Sequence, residues 1–278
     1  MGSKTARHAL GIDIGGTGVK GALVDTGTGT LVSRRIRIAT PKPATPEAVV
    51  DVVRRVVEAI ADDTPLAGDL PIGCGLPVVV KNGVALTAAN IDKAWIGAPA
   101  AELIGSALGR PVVVLNDADA AAIAEERLGA GREATGTVLL LTIGTGIGSG
   151  LVSAGRLVPN TEFGHIELKG RDAERQLSGV AREKRKLRWK AWALEFNEYL
   201  ARLELYLSPD LIILGGGVSK VMDKYREYLV TNAPLVPATF LNTSGIIGAA
   251  LHAADAAEAA EAAAESTRRA GKRRADAS

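Results

Sequence analysis

A single cysteine, Cys74, stands in 278 residues. That excludes a disulfide within the chain and a cysteine zinc site. Cys74 lies between two glycines at an expected strand end and reads as a buried structural thiol. Long apolar runs are also missing, since none approaches the roughly 20 residues a helix needs to cross a bilayer. Asp13 interrupts the apolar stretch after Ala9, so no signal peptide is read and the protein is expected in the cytoplasm. In that setting the sequon Asn242-Thr243-Ser244 carries no weight. Charge of one sign is scarce: the formal net charge is +2. Global charge therefore points to no nucleic-acid partner, and any anion preference must come from local placement. No G-x-x-x-x-G-K-[ST] occurs, which excludes a P-loop. Aromatics make up 4%, against 47% hydrophobic and 23% charged residues, an ordinary composition for a globular chain of one large or two modest domains.

What is present is a repeated loop. Asp13-Ile14-Gly15-Gly16-Thr17-Gly18 and Thr142-Ile143-Gly144-Thr145-Gly146-Ile147-Gly148 each sit between two apolar runs. The pattern is strand, Gly-Thr turn, strand, written twice. Glycines let backbone approach an anion, and threonine hydroxyls add donors. Two such turns facing each other would clamp phosphates across a cleft, which suggests a phosphotransferase of two related halves. Gly16 to Gly21 also matches the dinucleotide pattern G-x-G-x-x-G, but that motif must open a helix, and here a strand follows.

Strands are expected at 10–14, 21–24 and 33–39, after a loose arm over 1–8. Thr45 and Pro46 read as the N-cap and first residue of a helix carrying Val49, Val50, Val53, Val56, Val57 and Ile60. A buried strand at 70–76 and a hairpin turning at Asn82-Gly83 follow. A short helix at 100–108 then precedes a buried strand at 112–115 that delivers Asn116-Asp117, and a helix at 118–128. In the second half, strands are expected at 138–142, 150–152 and 211–214. A long helix there is marked by Trp192, Phe196, Tyr199, Leu203 and Tyr206. A helix is expected to begin near Ser219 and a last one at Gly245, packing back onto the first half. The arrangement argues for two α/β domains flanking a cleft. The first spans 1–116 plus about 247–265, the second 117–246, and 266–278 reads as a flexible, basic tail.

The chemistry follows from position. Asp117 lies outside the carboxyl end of a strand, where ligands bind in α/β proteins. It is the candidate general base for a sugar hydroxyl; otherwise it is an N-cap. Asp119 reads as structural. Asp13 beside a phosphate cradle calls for a bridging cation, which points to Mg²⁺, held through water; the alternative is a turn cap. Lys20 either faces the phosphoryl chain or sits solvated. Glu162, His165 and Glu174 suit polyol recognition, and are too few for zinc. The run Arg182, Lys184, Arg185, Lys186, Arg188, Lys190 is either a solvated helix face or a guide for a long polyanion.

Taken together, Asp13–Thr17, Leu115–Ala120, Thr142–Gly146, Glu162–His165 and Gly215–Ser219 resemble the ROK sugar-kinase family, in their order and spacing across residues 10–250. The family implies an actin-like (ribonuclease H-like) fold. It also implies a hexose held by Asn90, Asn116, Asp117, Glu162, His165 and Glu174, with Asp117 as base. Donor phosphates would lie on the two loops, at Gly15, Gly16, Thr17, Gly18, Lys20, Thr145 and Gly146, and Gly215, Gly216 and Gly217 would lie near a nucleotide's adenosine. Most members carry a cysteine-rich zinc loop after Glu-x-Gly-His. Here Glu167 to Glu174 and Ser178 stand instead, so no zinc is expected and His165 is assigned to sugar alone. That replacement, with Thr40–Pro46 and Ala89–Trp95, is similar to the polyphosphate glucokinase subgroup, glucomannokinases included. The implied reaction is phosphoryl transfer from polyphosphate, ATP or both to the 6-hydroxyl of glucose, mannose being a further acceptor, by a monomer or homodimer without a nucleic-acid or membrane partner. The alternative is an ATP-only kinase of glucose or another hexose such as fructose. Repressors related to the family carry a DNA-binding domain ahead of the kinase-like part, and too few residues precede Asp13 here for one.

Overall fold

The first Gly-Thr segment folds as a hairpin turn. In the computed structural model, which describes residues 8–275, β1 (His8–Gly15) and β2 (Gly18–Asp25) pair antiparallel. Gly15 stands opposite Gly18, leaving Gly16-Thr17 as the turn. The rest of the first half comprises β3 (Ile36–Ile38), α1 (Pro46–Asp63), β4 (Ile72–Leu76), β5 (Val80–Lys81), β6 (Val84–Ala85), α2 (Ala100–Leu108) and β7 (Val113–Asn116). Helix α3 (Asp117–Arg127) follows without a break. The second half contains β8 (Thr137–Ile143), β9 (Ile147–Ser153), β10 (Arg156–Val158), β11 (Glu167–Leu168), β12 (Arg171–Asp172), α4 (Ala173–Leu177), α5 (Gly179–Lys184) and α6 (Trp189–Leu207). It ends with β13 (Leu211–Gly215), α7 (Gly216–Ser219), β14 (Leu235–Pro237) and α8 (Ser244–Ala275).

The two five-stranded sheets share one plan, β3-β2-β1-β4-β7 and β10-β9-β8-β13-β14. In each, three antiparallel strands adjoin two parallel ones. The halves are therefore related, and each sheet aims its glycine turn at the same cleft.

Local chemistry explains the elements. The Thr45 hydroxyl accepts from Ala48 N at 3.4 Å, and Pro46 occupies the first turn of α1. Val49, Val53, Val56 and Ile60 of that helix are buried with Leu10, Ile12 and Ile14 of the first sheet. The second sheet is covered by α6, whose Trp192, Phe196, Tyr199 and Leu203 are fully buried. Asn82 and Gly83 both have positive φ, as a tight β5–β6 turn requires. α3 and α8 pack together between the sheets, α3 touching β8 and β9, α8 touching β1 and β4. This close packing depends on Gly73, where a Cβ would lie 1.9 Å from Ala249 O of α8.

Three expectations are corrected. α7 ends at Ser219 rather than starting there, because the chain turns at Gly216 (φ 76°) straight out of β13. α8 does not stop near residue 265; its backbone stays helical to Ala275, across the stretch expected as a flexible tail. The Ala/Glu/Arg composition explains this, since these are strong helix formers. The third strand shortens to Ile36–Ile38. The expected arm begins to pair at His8, and residues 1–7 and 276–278 lie outside the described residues. Among the described residues no helix is long and apolar enough to cross a membrane.

Candidate active site

β7 ends at Asn116, and α3 starts at once. The Asn116 Oδ1 accepts from Ala118 N (2.8 Å) and Asp119 N (3.1 Å), while its Nδ2 donates to Val78 O (3.1 Å). Asn116 is thus the N-cap, and Asp117 is left half-buried with one contact, Oδ1 accepting from Ala118 N at 2.8 Å. The Asp117 carboxyl is pushed up to about 7 by burial first and the Asp13 charge second, against the Ala118 N–H.

A cavity of about 370 Å³ opens in front of Asp117, and Asn90, Asn116, Glu162, His165, Glu174, Thr145 and Gly146 all line it. His165 stands between two carboxylates, with Nε2 3.7 Å from Glu162 Oε2 and Nδ1 3.3 Å from Asp172 Oδ2. Glu162 is held above the usual carboxylate range by burial, an effect His165 opposes. The Glu174 Oε2 accepts from Ile147 N at 3.3 Å. A Cβ at Gly146 would lie 2.4 Å from that oxygen and 3.1 Å from Asn90 Nδ2, so only glycine lets those two side chains converge on the second loop. Asp119 is buried as a strut: its Oδ2 accepts from Asn160 N at 2.7 Å, and Asn160 in turn bonds both backbone groups of Val80.

A second cavity, of about 320 Å³, lies on the other side of the turns. Asp13, Gly15, Thr17, Lys20, Gly215, Gly216 and Gly217 line it, with Asn242 and Ser244. Lys20 is neither solvated nor free: it pairs with Asp13 across the hairpin, Nζ to Oδ2 2.6 Å, and both side chains are largely buried. Asp13 therefore does not cap the turn. The two cavities share Thr17, Asp117, Thr142, Gly144 and Gly216. Gly18 lies outside both; it sits in β2, where a Cβ would be 2.8 Å from Arg37 Nε. Among the described residues no three His, Cys, Asp or Glu side chains cluster as a metal site.

Several polar residues of the site were not assigned to it from the sequence: Thr87, Ser149 and Thr161 line the first cavity, Asn242 and Ser244 the second, and Asp172 meets His165. Thr142, read as the start of the second loop, lines both cavities. The basic run is not one helix face, because it spans the end of α5, a turn and the start of α6. Arg182 stacks 3.9 Å over Trp189, and Arg185 forks onto Glu195 at 2.7 and 2.9 Å. Cys74 is buried, and burial pushes its thiol up, in line with a structural role.

Residues 9–186 match the model of the ROK family. Polyphosphate glucokinase of Mycobacterium tuberculosis is 47% identical over 90% of this chain and 92% of its own length. Its Mycobacterium leprae counterpart is 44% identical over 89% of this chain and 75% of its own. Among solved structures, the inorganic polyphosphate/ATP-glucomannokinase of Arthrobacter sp. strain KM superposes with a TM-score of 0.86 at 46% identity, covering 89% of this chain and 98% of that one. A ROK family glucokinase from Streptomyces griseus, solved with glucose and AMPPNP, gives 0.75 at 27% identity over 88% of this chain and 99% of that one.

Proposed function

The chain belongs to the ROK family, and we propose that it is a hexose kinase. It transfers a phosphoryl group from inorganic polyphosphate or ATP to the 6-hydroxyl of glucose, and of mannose. The observation that carries this reading is the meeting of two cavities at Asp117. One takes the sugar and the other the donor. Relatives similar over nine-tenths of the chain carry the names polyphosphate glucokinase and polyphosphate/ATP-glucomannokinase.

The sugar is held by Asn90, Glu162, His165 and Glu174, which between them offer hydroxyls both donors and acceptors, the two carboxylates accepting. Asn116 contributes by aiming Asp117. The donor's terminal phosphoryl lies against Thr17, Thr142 and Gly144. Asp117 takes the proton of the 6-hydroxyl as the new O–P bond forms, and the bond to the departing phosphate breaks. The loop amides and Lys20 neutralise the charge that builds up there. Gly215 to Gly217 and Asn242 face the adenosine when ATP is the donor. Asp13 fits Mg²⁺ held through water, since one carboxylate beside donor phosphates is its usual protein contact. When bound, the ion supplies further charge neutralisation. The two lobes, 1–116 with α8 and 117–243, close on sugar and exclude water. A kinase drawing on ATP works where ATP is held, so we place the protein in the cytoplasm.

The second reading is an ATP-only kinase, favoured by the likeness to the Streptomyces griseus enzyme. Purified protein with glucose and Mg²⁺, given nucleotide-free polyphosphate or ATP, separates the two. Glucose 6-phosphate is expected from both donors, and mannose 6-phosphate when mannose replaces glucose. Turnover with ATP alone would establish the second reading.

A further inference from the structure

A long polyanionic donor needs more contacts than the donor cavity offers. Its one cation, Lys20, is already paired with Asp13. The phosphates beyond the transferred one must therefore meet cations elsewhere. Three cations lie on segments tied, directly or in series, to the first turn. Arg37 stands opposite Lys20 in the β2–β3 register, and its Nη2 donates to Thr17 O at 2.8 Å. Gly18 leaves the space for that guanidinium, which explains a glycine that lines neither cavity. Lys42 follows Thr40, whose hydroxyl donates to Gly15 O, and precedes Ala44, whose carbonyl accepts from Trp95 Nε1 at 3.0 Å. Lys93 begins the short turn that ends in the fully buried Trp95. Arg37, Lys42 and Lys93 are exposed, and among the described residues none of them forms an ion pair. Each belongs to a segment pinned to the donor turn or to the next segment. The carboxylates on these segments are Asp92, occupied in capping Ala94 N at 2.8 Å, and Glu47 in the first turn of α1.

We propose that Arg37, Lys42 and Lys93 form a strip that binds the distal phosphates of polyphosphate as the chain leaves the donor cavity over the rim of the first lobe. The strip rests on polyphosphate being a donor. It is preferred to the run between Arg182 and Lys190, where Arg182 and Arg185 are engaged and the exposed Lys184, Lys186 and Arg188 lie on no segment tied to the first turn. ATP, with three phosphates and an adenosine directed toward Gly215 to Gly217, does not reach the strip.

The test is steady-state kinetics of Lys42→Gln/Lys93→Gln, two exposed positions whose replacement leaves the core untouched. Long-chain polyphosphate, tripolyphosphate and ATP are the donors, each at several salt concentrations. The KM for long polyphosphate should rise about 5–10-fold at low ionic strength, while those for tripolyphosphate and ATP stay within about twofold. The slope of log KM against log salt for long polyphosphate should fall by about 0.7 for each cation removed, as for other single-stranded polyanions. Arg37→Lys, which keeps charge but loses the hold on Thr17, should retain most long-chain binding. An unchanged KM for long polyphosphate, or an equal rise for ATP, overturns the strip. So does a larger effect from Lys184→Gln/Lys186→Gln/Arg188→Gln. No polyphosphate turnover by the wild type would remove the donor reading itself, and the strip with it.

Discussion

Asp117→Asn is expected to lower kcat by about 10²–10⁴-fold, the worth of a positioned general base. The amide cannot take the proton of the 6-hydroxyl. Its oxygen still fits the Ala118 N–H, so the start of α3 stays in place and glucose affinity, read by calorimetry, should change little. Near-normal turnover would reduce Asp117 to a helix-start residue. The same carboxyl sets a pH dependence. Because the free enzyme holds it at about 7, kcat/KM should fall about tenfold for each pH unit below that value as the base is protonated. Stability moves the other way. The folded value lies above the ordinary 3.8, so ionisation favours the unfolded chain. Wild-type stability should therefore decline as pH rises from about 4 to about 7. Asp117→Asn should lack that part of the decline and melt higher than wild type at pH 8. A base kept at the cost of stability is what a strained active site predicts.

Glu125→Ala is expected to destabilise the fold by at least about 3 kcal/mol. Glu125 is fully buried in α3 and collects four donors. Its Oε1 accepts from Phe240 N and the Ser244 hydroxyl, both at 2.8 Å. Its Oε2 accepts from Thr239 N at 2.8 Å and Ala130 N at 3.1 Å. Alanine would leave three backbone N–H groups in the interior without acceptors. Glutamine would offer one oxygen and a competing NH₂, and should recover only part of the loss. The loop held by Glu125 carries Asn242 and Ser244 into the donor cavity, so the KM for ATP should rise as well. Urea unfolding with an unchanged m-value would give the free energy. A loss below about 1 kcal/mol would mean that water or a shifted loop satisfies those donors.

The sequence was most legible where structure is local. The two glycine turns, the hairpin at Asn82-Gly83 and the Thr45-Pro46 helix start each need only a few neighbouring residues. Asp117 was legible because a strand running straight into a helix exposes the residue at the junction. Its competing role as cap fell to Asn116, one residue earlier, which spacing alone could not decide. Lys20 could have been placed: with Gly15 opposite Gly18, the register sets Asp13 against Lys20. Other residues gave no local signal. Glu125 lies in an alanine-rich stretch, and three of its four partners are more than a hundred residues away. Asp172 meets His165 only because β11 and β12 fold back on each other. Arg37 reaches Thr17 through the β2–β3 register, twenty residues on. In the basic run between Arg182 and Lys190 the partners of Arg182 and Arg185 were not legible, because charge spacing says nothing about which cations already have partners.

The account turns on one position, the 6-hydroxyl of the sugar against Asp117. A structure of the protein with glucose bound and an unreactive donor analogue present measures it directly. The account predicts glucose in the cavity lined by Asn90, Glu162, His165 and Glu174, its 6-hydroxyl about 2.6–3.2 Å from the Asp117 carboxylate and facing the donor. Glucose bound with that hydroxyl turned away from Asp117, or with a different hydroxyl in its place, would contradict it.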